Sequence, residues 1–410
     1  MNPHAGPFSV LLISHSYPPV IGGSEVEAQR VSAALIRRGH RIRVVCAGGP
    51  PMPPARDWVD PKGVPVRIYG ERWVGPARDV VFALRTALML IRERRRYQLV
   101  YFLMQGLQLA VCLPVARALR KPIIMKVSGS GVLPMLGRSS TGRLELRWLR
   151  RWAARLLILN DGMRAEAIAS GFPAHKVAWM PNPVDTAEFT PCGETERQRL
   201  RTKWNLPSQA VIVLYCGRLS PVKGLPCLLE GFAAAAAEMP HAILVMVGDG
   251  PMRAALEQQC IALGLPPEQI RFVGPVPPGE VPEWTRLADI FAITSPSEGF
   301  SCALAEAMAT GLACLACEIP ANRQLIRSGE NGALVPVGDA AAVAAGLREL
   351  ISGAELRARL GSAARALIME NYTVDEVAGR YEDLFGEVLE GRPCSETEYA
   401  ARRRAPAKNT

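Results

Sequence analysis

The stretch that most constrains this 410-residue chain runs from Ala288 to Ala309 and reads as strand, turn and helix in direct succession. Ala288-Asp289-Ile290-Phe291-Ala292-Ile293-Thr294 is an apolar run that stops at Ser295-Pro296. It lacks the polar alternation of a half-exposed strand, as a parallel strand covered on both faces does. A small-residue turn follows, and Ser301 stands where an N-cap would open a helix reaching about Ala309. The amides of Cys302 and Ala303 then lie unpaired in the first turn, and with the positive helix end they suit a diphosphate. Glu298 before the helix and Glu306 inside it bracket that anion site. Each carboxylate can accept hydrogen bonds from hydroxyls on a ligand carrying sugars on both sides of its phosphates.

Upstream, residues 211–225 repeat the pattern: an apolar strand, a glycine turn bearing Arg218 and Lys223, then a helix whose apolar face takes Leu225, Leu228, Leu229 and Phe232. A charge-assisted hydrogen bond from either cation to phosphate is worth about 1.5–3 kcal/mol. The first half of the chain shows strands near 9–14, 41–47, 99–103, 123–127 and 156–159, separated by helical segments as a doubly wound sheet requires. Its first strand leads through His15 to Gly22-Gly23-Ser24-Glu25. The two glycines permit close backbone approach to a ligand, and Ser24 is placed to cap the next helix. A chain of this length accommodates two domains with full cores.

In order, the chain carries Pro18-Pro19-x-x-Gly22-Gly23-x-Glu25, Gly217-Arg218-Leu219-x-x-x-Lys223-Gly224, Val247-Gly248-Asp249-Gly250-Pro251, and Glu298-Gly299-Phe300 with Glu306 eight positions after the first glutamate. On these motifs it resembles the retaining GT-B glycosyltransferases of the group 1, family 4 type, most clearly over residues 205–345. The resemblance implies an α/β fold of two Rossmann-like doubly wound domains facing across a cleft: residues 1–190 on the acceptor side, 191–372 binding the donor, 373–390 a helix returning to the first domain, and 391–410 a disordered tail. It implies transfer of a sugar from a nucleotide-diphosphate sugar to a hydroxyl of a saccharide, lipid-linked or small-molecule acceptor, with Arg218, Lys223 and Glu298 as catalytic residues. Arg218 and Lys223 would hold the diphosphate, Glu306 the ribose, and Glu298 with Gly299, Phe300, Ser301, Cys302 and Ala303 the donor sugar and phosphates, while Gly22 and Gly23 would close the donor site. A front-face reaction is the usual family proposal, with the leaving phosphate helping to deprotonate the acceptor.

The chain departs from the family twice. Pro183 in Met180-Pro181-Asn182-Pro183 stands where glycine is commoner, and Ser128 stands where many relatives carry histidine. His15 and Ser128 are the acceptor-side candidates. Neither an Asp-x-Asp triad nor a His/Cys/Asp cluster of metal-ligand spacing is present, so neither metal nor a cofactor besides the donor substrate is expected. A sugar-nucleotide epimerase on the same architecture is the alternative. A dinucleotide oxidoreductase is disfavoured, because Gly248-Asp249-Gly250 lacks the third glycine of that fingerprint.

Net charge is +10, with arginines gathered at 92–96 and at 143, 147, 150, 151 and 155. In the second group Leu144, Trp148, Leu149 and Trp152 recur at helical spacing opposite the arginines, giving an amphipathic basic helix. Such a helix either packs its apolar stripe on the sheet or meets anionic lipid headgroups. Nucleic acid is not an expected partner, since no recognition module accompanies the charge. No apolar run reaches the length of a membrane span: the longest, residues 80–91, is interrupted by Arg85. The amino terminus lacks a signal-peptide pattern, and ten scattered cysteines read as reduced thiols, so a cytoplasmic protein, peripheral at the inner face of the membrane, is the expectation.

Overall fold

The computed structural model describes residues 6–20, 22–48, 57–69, 75–103 and 106–393. The chain divides into two compact units, residues 1–183 with 374–410, and residues 184–373.

The first unit contains β1 (Ser9–Ile13), α1 (Gly23–Arg37), β2 (Arg41–Cys46), β3 (Asp57–Val59), β4 (Pro65–Ile68), α2 (Gly75–Arg92), β5 (Leu99–Phe102), α3 (Leu107–Ala118), β6 (Ile123–Lys126), α4 (Val132–Gly137), α5 (Ser140–Trp152), β7 (Arg155–Ile158), α6 (Asp161–Ala169) and β8 (Val177–Trp179). Its sheet runs β3-β4-β2-β1-β5-β6-β7-β8, parallel except for the β3–β4 pair. Every residue of β5, β6 and β7 is buried, and these strands read as apolar runs except for Lys126 at the end of β6 and Arg155 at the start of β7. The sequence pattern missed β3, β4 and β8, whose three or four residues are too short to show a period. Strand order reverses between β1 and β5. Right-handed crossovers therefore put α1 on one face and α2, α3 and α5 on the other, where α2 packs on α3 and α3 on α5.

The second unit contains α7 (Glu194–Lys203), β9 (Val211–Cys216), α8 (Leu225–Ala236), β10 (Ala242–Val247), α9 (Arg253–Ala262), β11 (Ile270–Gly274), α10 (Val281–Leu287), β12 (Ile290–Ile293), α11 (Cys302–Ala309), β13 (Ala313–Cys317), α12 (Pro320–Arg323), β14 (Ala333–Val335), α13 (Ala340–Ser352) and α14 (Ala354–Asn371). Its six strands, ordered β11-β10-β9-β12-β13-β14, are all parallel, and their order reverses between β9 and β12. Leu225, Leu228, Leu229 and Phe232 are fully buried along α8, the face its spacing predicts.

The last helix, α15 (Val374–Glu390), belongs to the first unit, with Val377, Tyr381, Leu384 and Phe385 buried in that unit's core against α1. The division between units falls at Pro183/Val184 rather than at 190. The Val184 amide bonds the Tyr372 carbonyl at 2.7 Å and Phe189 is 3% exposed, which commits 184–190 to the second unit. The tail expected from 391 lies almost wholly outside the described residues.

Nine cysteines are described, all free thiols. Cys314 and Cys317 form a C-x-x-C spacing on β13, but a strand sends residues three apart to opposite faces, so the two thiols do not face each other. Among the described residues no helix is long and apolar enough to cross a membrane.

Candidate functional site

In an open parallel sheet, ligands bind beyond the carboxyl ends of the strands where strand order reverses. In the second unit that point lies between β9 and β12, and the predicted donor residues follow these two strands. β9 ends at Cys216, and Gly217-Arg218 leave it at once, with the Tyr215 hydroxyl donating to the Arg218 carbonyl at 3.0 Å. Arg218 is exposed, and its guanidinium has no partner among the described residues. A short 3-10 turn, Pro221–Lys223, presents Lys223, whose Nζ lies 2.6 Å from Oε1 of Glu298. The sequence placed both groups near the donor without foreseeing that they pair.

Two contacts fix this geometry. Gly224 has φ +63°, and a Cβ there would sit 2.2 Å from the Thr294 carbonyl oxygen, so the start of α8 lies directly on the end of β12. The Thr294 hydroxyl donates to the Gly224 carbonyl at 3.0 Å, tying the Lys223 turn to the strand that leads to Glu298. Gly248, at the end of β10 with φ +129°, admits the Gly217 carbonyl where a Cβ would lie 2.0 Å away. Its motif therefore makes a backbone crossing, a role that needs no dinucleotide.

Ser301 precedes α11, but its side chain does not cap the helix. Its hydroxyl donates instead to Oδ1 of Asn322 at 2.5 Å, and Nδ2 of Asn322 donates to the Cys317 carbonyl at 2.8 Å. The Cys302 amide, expected to be unpaired, donates to the Phe300 carbonyl at 2.9 Å, leaving Ala303 as a first-turn amide without an intrahelical acceptor. Phe300 is 7% exposed and packs on Tyr372 with ring centroids 5.9 Å apart, so its ring serves the core. Glu306, half-buried on α11, faces the end of β9: burial first, and then its negative charge, push the Cys216 thiol up to about 12. Glu298 and Glu306 thus flank the switch point from loop and helix.

In the first unit the corresponding reversal lies between β1 and β5, and His15 follows β1. Its Nε2 is 3.1 Å from Nη2 of Arg78 and its Nδ1 is 3.8 Å from Asp79, both on α2. Burial lowers its pKa most strongly; Asp79 and Glu25 oppose that, and Arg78 adds to it. Ser128 leaves β6 exposed, at the same end of the sheet but with β5 between its strand and that of His15. Gly22 is the N-cap of α1 in extended conformation, and Ser24 falls inside the helix rather than capping it. Glu25 folds back over Gly22, where a Cβ would meet its Oε2 at 2.2 Å, and accepts from the Ser16 hydroxyl at 2.5 Å. A side chain at Gly22 would have to displace only the flexible Glu25 carboxylate, so the close approach does not by itself demand glycine.

Asn182 has a role the sequence left open: its Oδ1 accepts from Nζ of Lys126 at 3.0 Å. Lys126 also pairs with Glu27 of α1, and the Tyr381 hydroxyl of α15 donates to the same carboxylate at 2.5 Å. Lys126 and Glu27 are 2% and 3% exposed. Sequence reading missed this cluster, because its members are spread over 355 positions from Glu27 to Tyr381 and share no motif.

Two parallel doubly wound sheets with a cation pair over the switch point of the second define the GT-B class of fold. Over 93% of its length the chain superposes on the Anabaena protein Alr3699/HepE, solved in complex with UDP-glucose, with a TM-score of 0.77 and 20% identity, covering all of that chain. Family models match in both units: "Glycosyl transferase 4-like domain" over residues 22–183 and "Glycosyl transferases group 1" over residues 196–367. The chain belongs to the glycosyltransferases of the group 1, family 4 type. It is 23% identical to the N-acetyl-alpha-D-glucosaminyl L-malate synthase of Bacillus anthracis over 90% of this chain and 95% of that enzyme. It is 29% identical to the D-inositol 3-phosphate glycosyltransferase of Nocardioides sp., where the match spans 52% of this chain and about half, 49%, of that enzyme.

Proposed function

We propose that the protein transfers a sugar from a nucleotide-diphosphate sugar to an acceptor hydroxyl with retention of anomeric configuration, using no metal. The observation that carries this reading is the Lys223–Glu298 pair over the β9/β12 switch point, with Arg218 exposed beside it and the α11 amino terminus following Glu298. Lys223 and Arg218 take the diphosphate, and the Ala303 amide adds a donor; cations thereby neutralise the charge that grows on the leaving group. Glu306 receives the ribose hydroxyls, and Glu298 with the Gly299 backbone orients the donor sugar.

In the proposed front-face step the bond from the anomeric carbon to the diphosphate oxygen breaks and a bond to the acceptor oxygen forms on the same face. The acceptor proton passes to the departing phosphate, so no enzymatic nucleophile is needed. His15 and Ser128 border the acceptor. Acceptor chemistry extends from saccharides and lipid-linked sugars to small hydroxy acids or phosphates of the kind named for the malate and inositol 3-phosphate relatives. The reading includes peripheral contact with an anionic membrane through α5. Nothing in the site favours isomerisation of the donor.

The test is thermal-shift screening against UDP, GDP, ADP and dTDP and their sugars. Donor consumption is then assayed with each acceptor class, with and without chelator, and the product anomer is assigned by NMR. One nucleotide series should stabilise the protein, and turnover should persist in chelator with the anomer retained. Absence of stabilisation by every nucleoside diphosphate overturns the reading.

A further inference from the structure

Only Leu149 of the amphipathic stripe expected on α5 lies on the face that packs on the sheet. Leu146 and Leu149 are buried with Gly142 and Glu145, whereas Leu144 is 43% exposed and Trp148 and Trp152 stack on each other half-buried, their centroids 5.3 Å apart. α2 does the same on a larger scale. Val80, Leu84, Leu88 and Ile91 are 44%, 59%, 45% and 45% exposed. At about 100° per residue they form one outward stripe, opposite the buried Phe82, Ala83, Thr86 and Leu90. Half of the fourteen exposed large hydrophobics among the described residues lie between residues 80 and 144, a clustering that single scattered side chains do not show.

α2, α3 and α5 are consecutive in one helix layer, so the α2 stripe and the outward side of α5 point away from the same face of the sheet. The segment that forms this layer is also rich in positive charge. Residues 75–152 hold fifteen Arg and Lys against three Asp and Glu, although one of the fifteen, Lys126, is buried on β6 and paired with Glu27. Two of those carboxylates are engaged, Glu93 by Arg43 and Arg67 and the buried Glu145 by the Gly106 amide. Arg147 and Arg151 flank Leu144 on the outward side of α5 and are exposed.

We propose that the α2–α5 layer is a membrane-docking face that lays its apolar stripe and the Trp148–Trp152 pair into the headgroup boundary of an anionic bilayer while the arginines meet the phosphates. The proposal rests on the peripheral-membrane reading above, and it moves the main contact from α5 alone to a two-helix surface led by α2. A second copy of this chain fits poorly, because self-association would bring two strongly cationic faces together. An anionic bilayer complements both the charge and the apolar stripe.

The test is flotation of the full chain with vesicles of phosphatidylcholine alone and of phosphatidylcholine mixed with phosphatidylglycerol. It is run on wild type, on Leu84→Ser with Leu88→Ser, and on Arg147→Ser with Arg151→Ser. Wild type should float with the anionic vesicles only. The arginine variant should lose about tenfold or more in partitioning, and the leucine variant should lose quenching of tryptophan fluorescence by brominated lipid. Thermal stabilisation by nucleoside diphosphate, measured without vesicles, should be unchanged in both variants, which separates this proposal from the donor-site reading and checks folding. Equal recovery with both vesicle types, no recovery with either, or a wild-type dimer in sedimentation equilibrium that Leu84→Ser with Leu88→Ser dissolves would each overturn it.

Discussion

Each unit holds a lysine–glutamate pair, and the two pairs differ in what surrounds them. Lys223 and Glu298 meet at the strand ends of the second unit, 26% and 13% exposed, 2.6 Å apart. Lys126 and Glu27 meet inside the first unit, 2% and 3% exposed, with Asn182 and Tyr381 completing their hydrogen bonds. Taking the buried pair apart strands a charge in the core, whereas the open pair can exchange its partner for a ligand phosphate at little cost. One pair fastens α1, β6, the end of the first unit's main segment and α15 together. The other, on the proposed reading, is a cation held by a carboxylate until an arriving donor redirects it.

The largest expected effect falls on the buried pair. Lys126→Met leaves the Glu27 carboxylate uncompensated and should destabilise the first unit by about 3–5 kcal/mol. Scanning calorimetry should show the loss, and a double variant adding Glu27→Leu should recover much of it, because matched apolar groups replace a buried pair at small cost. A single variant within about 1 kcal/mol of wild type would show that the cluster is no fastening.

Lys223→Ala should behave in the opposite way. Stability without ligand should change by less than about 1 kcal/mol, as for other partly exposed pairs. Affinity for the preferred nucleoside diphosphate should fall about 10- to 100-fold, the value of one charge-assisted hydrogen bond to phosphate. Isothermal titration measures the second and thermal melts the first. An unchanged dissociation constant would remove Lys223 from the diphosphate site.

Glu298→Gln sharpens the same contrast at smaller amplitude. Neutralising this carboxylate releases Lys223, so nucleoside diphosphate should bind about two- to fivefold more tightly, while the corresponding nucleotide sugar gains less or loses affinity because the sugar loses an acceptor. Equal gains for both ligands would mean that Glu298 only restrains the lysine and does not touch the sugar.

The second unit was the more legible because its chemistry is local in sequence. Arg218 and Lys223 follow one strand, Glu298 and Glu306 lie in and after one turn, and a 3.6-residue period fixes the buried face of α8. What the sequence hid there was partner choice. Ser301 looked like a cap but found Asn322, 21 positions away, and the Cys302 amide found a carbonyl two residues back. In the first unit the strands announced themselves where four or more residues were buried on both faces. The short β3, β4 and β8 did not, and neither did the cluster around Lys126, whose members meet only once the chain has returned from the second unit. Amphipathicity misled on α5 because four apolar residues on a basic helix do not say which of them faces inward; Leu146, left out of the stripe, does so.

His15 gives the smallest effect and the one most specific to the mouth of the first unit. Burial lowers its pKa below the usual 6.5, Arg78 pushes the same way, and Asp79 and Glu25 offset part of this. The unfolded chain therefore takes up a proton at higher pH than the folded one, and the stability tied to neutral His15 is fully present above 6.5. It declines as pH falls through 6.5 and levels off below the folded pKa. With 41% of the side chain exposed, solvent screening holds the loss under about 1 kcal/mol. Melting temperatures of wild type and His15→Gln, compared from pH 8 to pH 5, about the range over which histidine changes charge, should converge at the acid end if His15 is more stabilising neutral than the glutamine. Curves that stay parallel would mean that His15 titrates as in the unfolded chain and that the Arg78–Asp79 environment exerts no net bias on it.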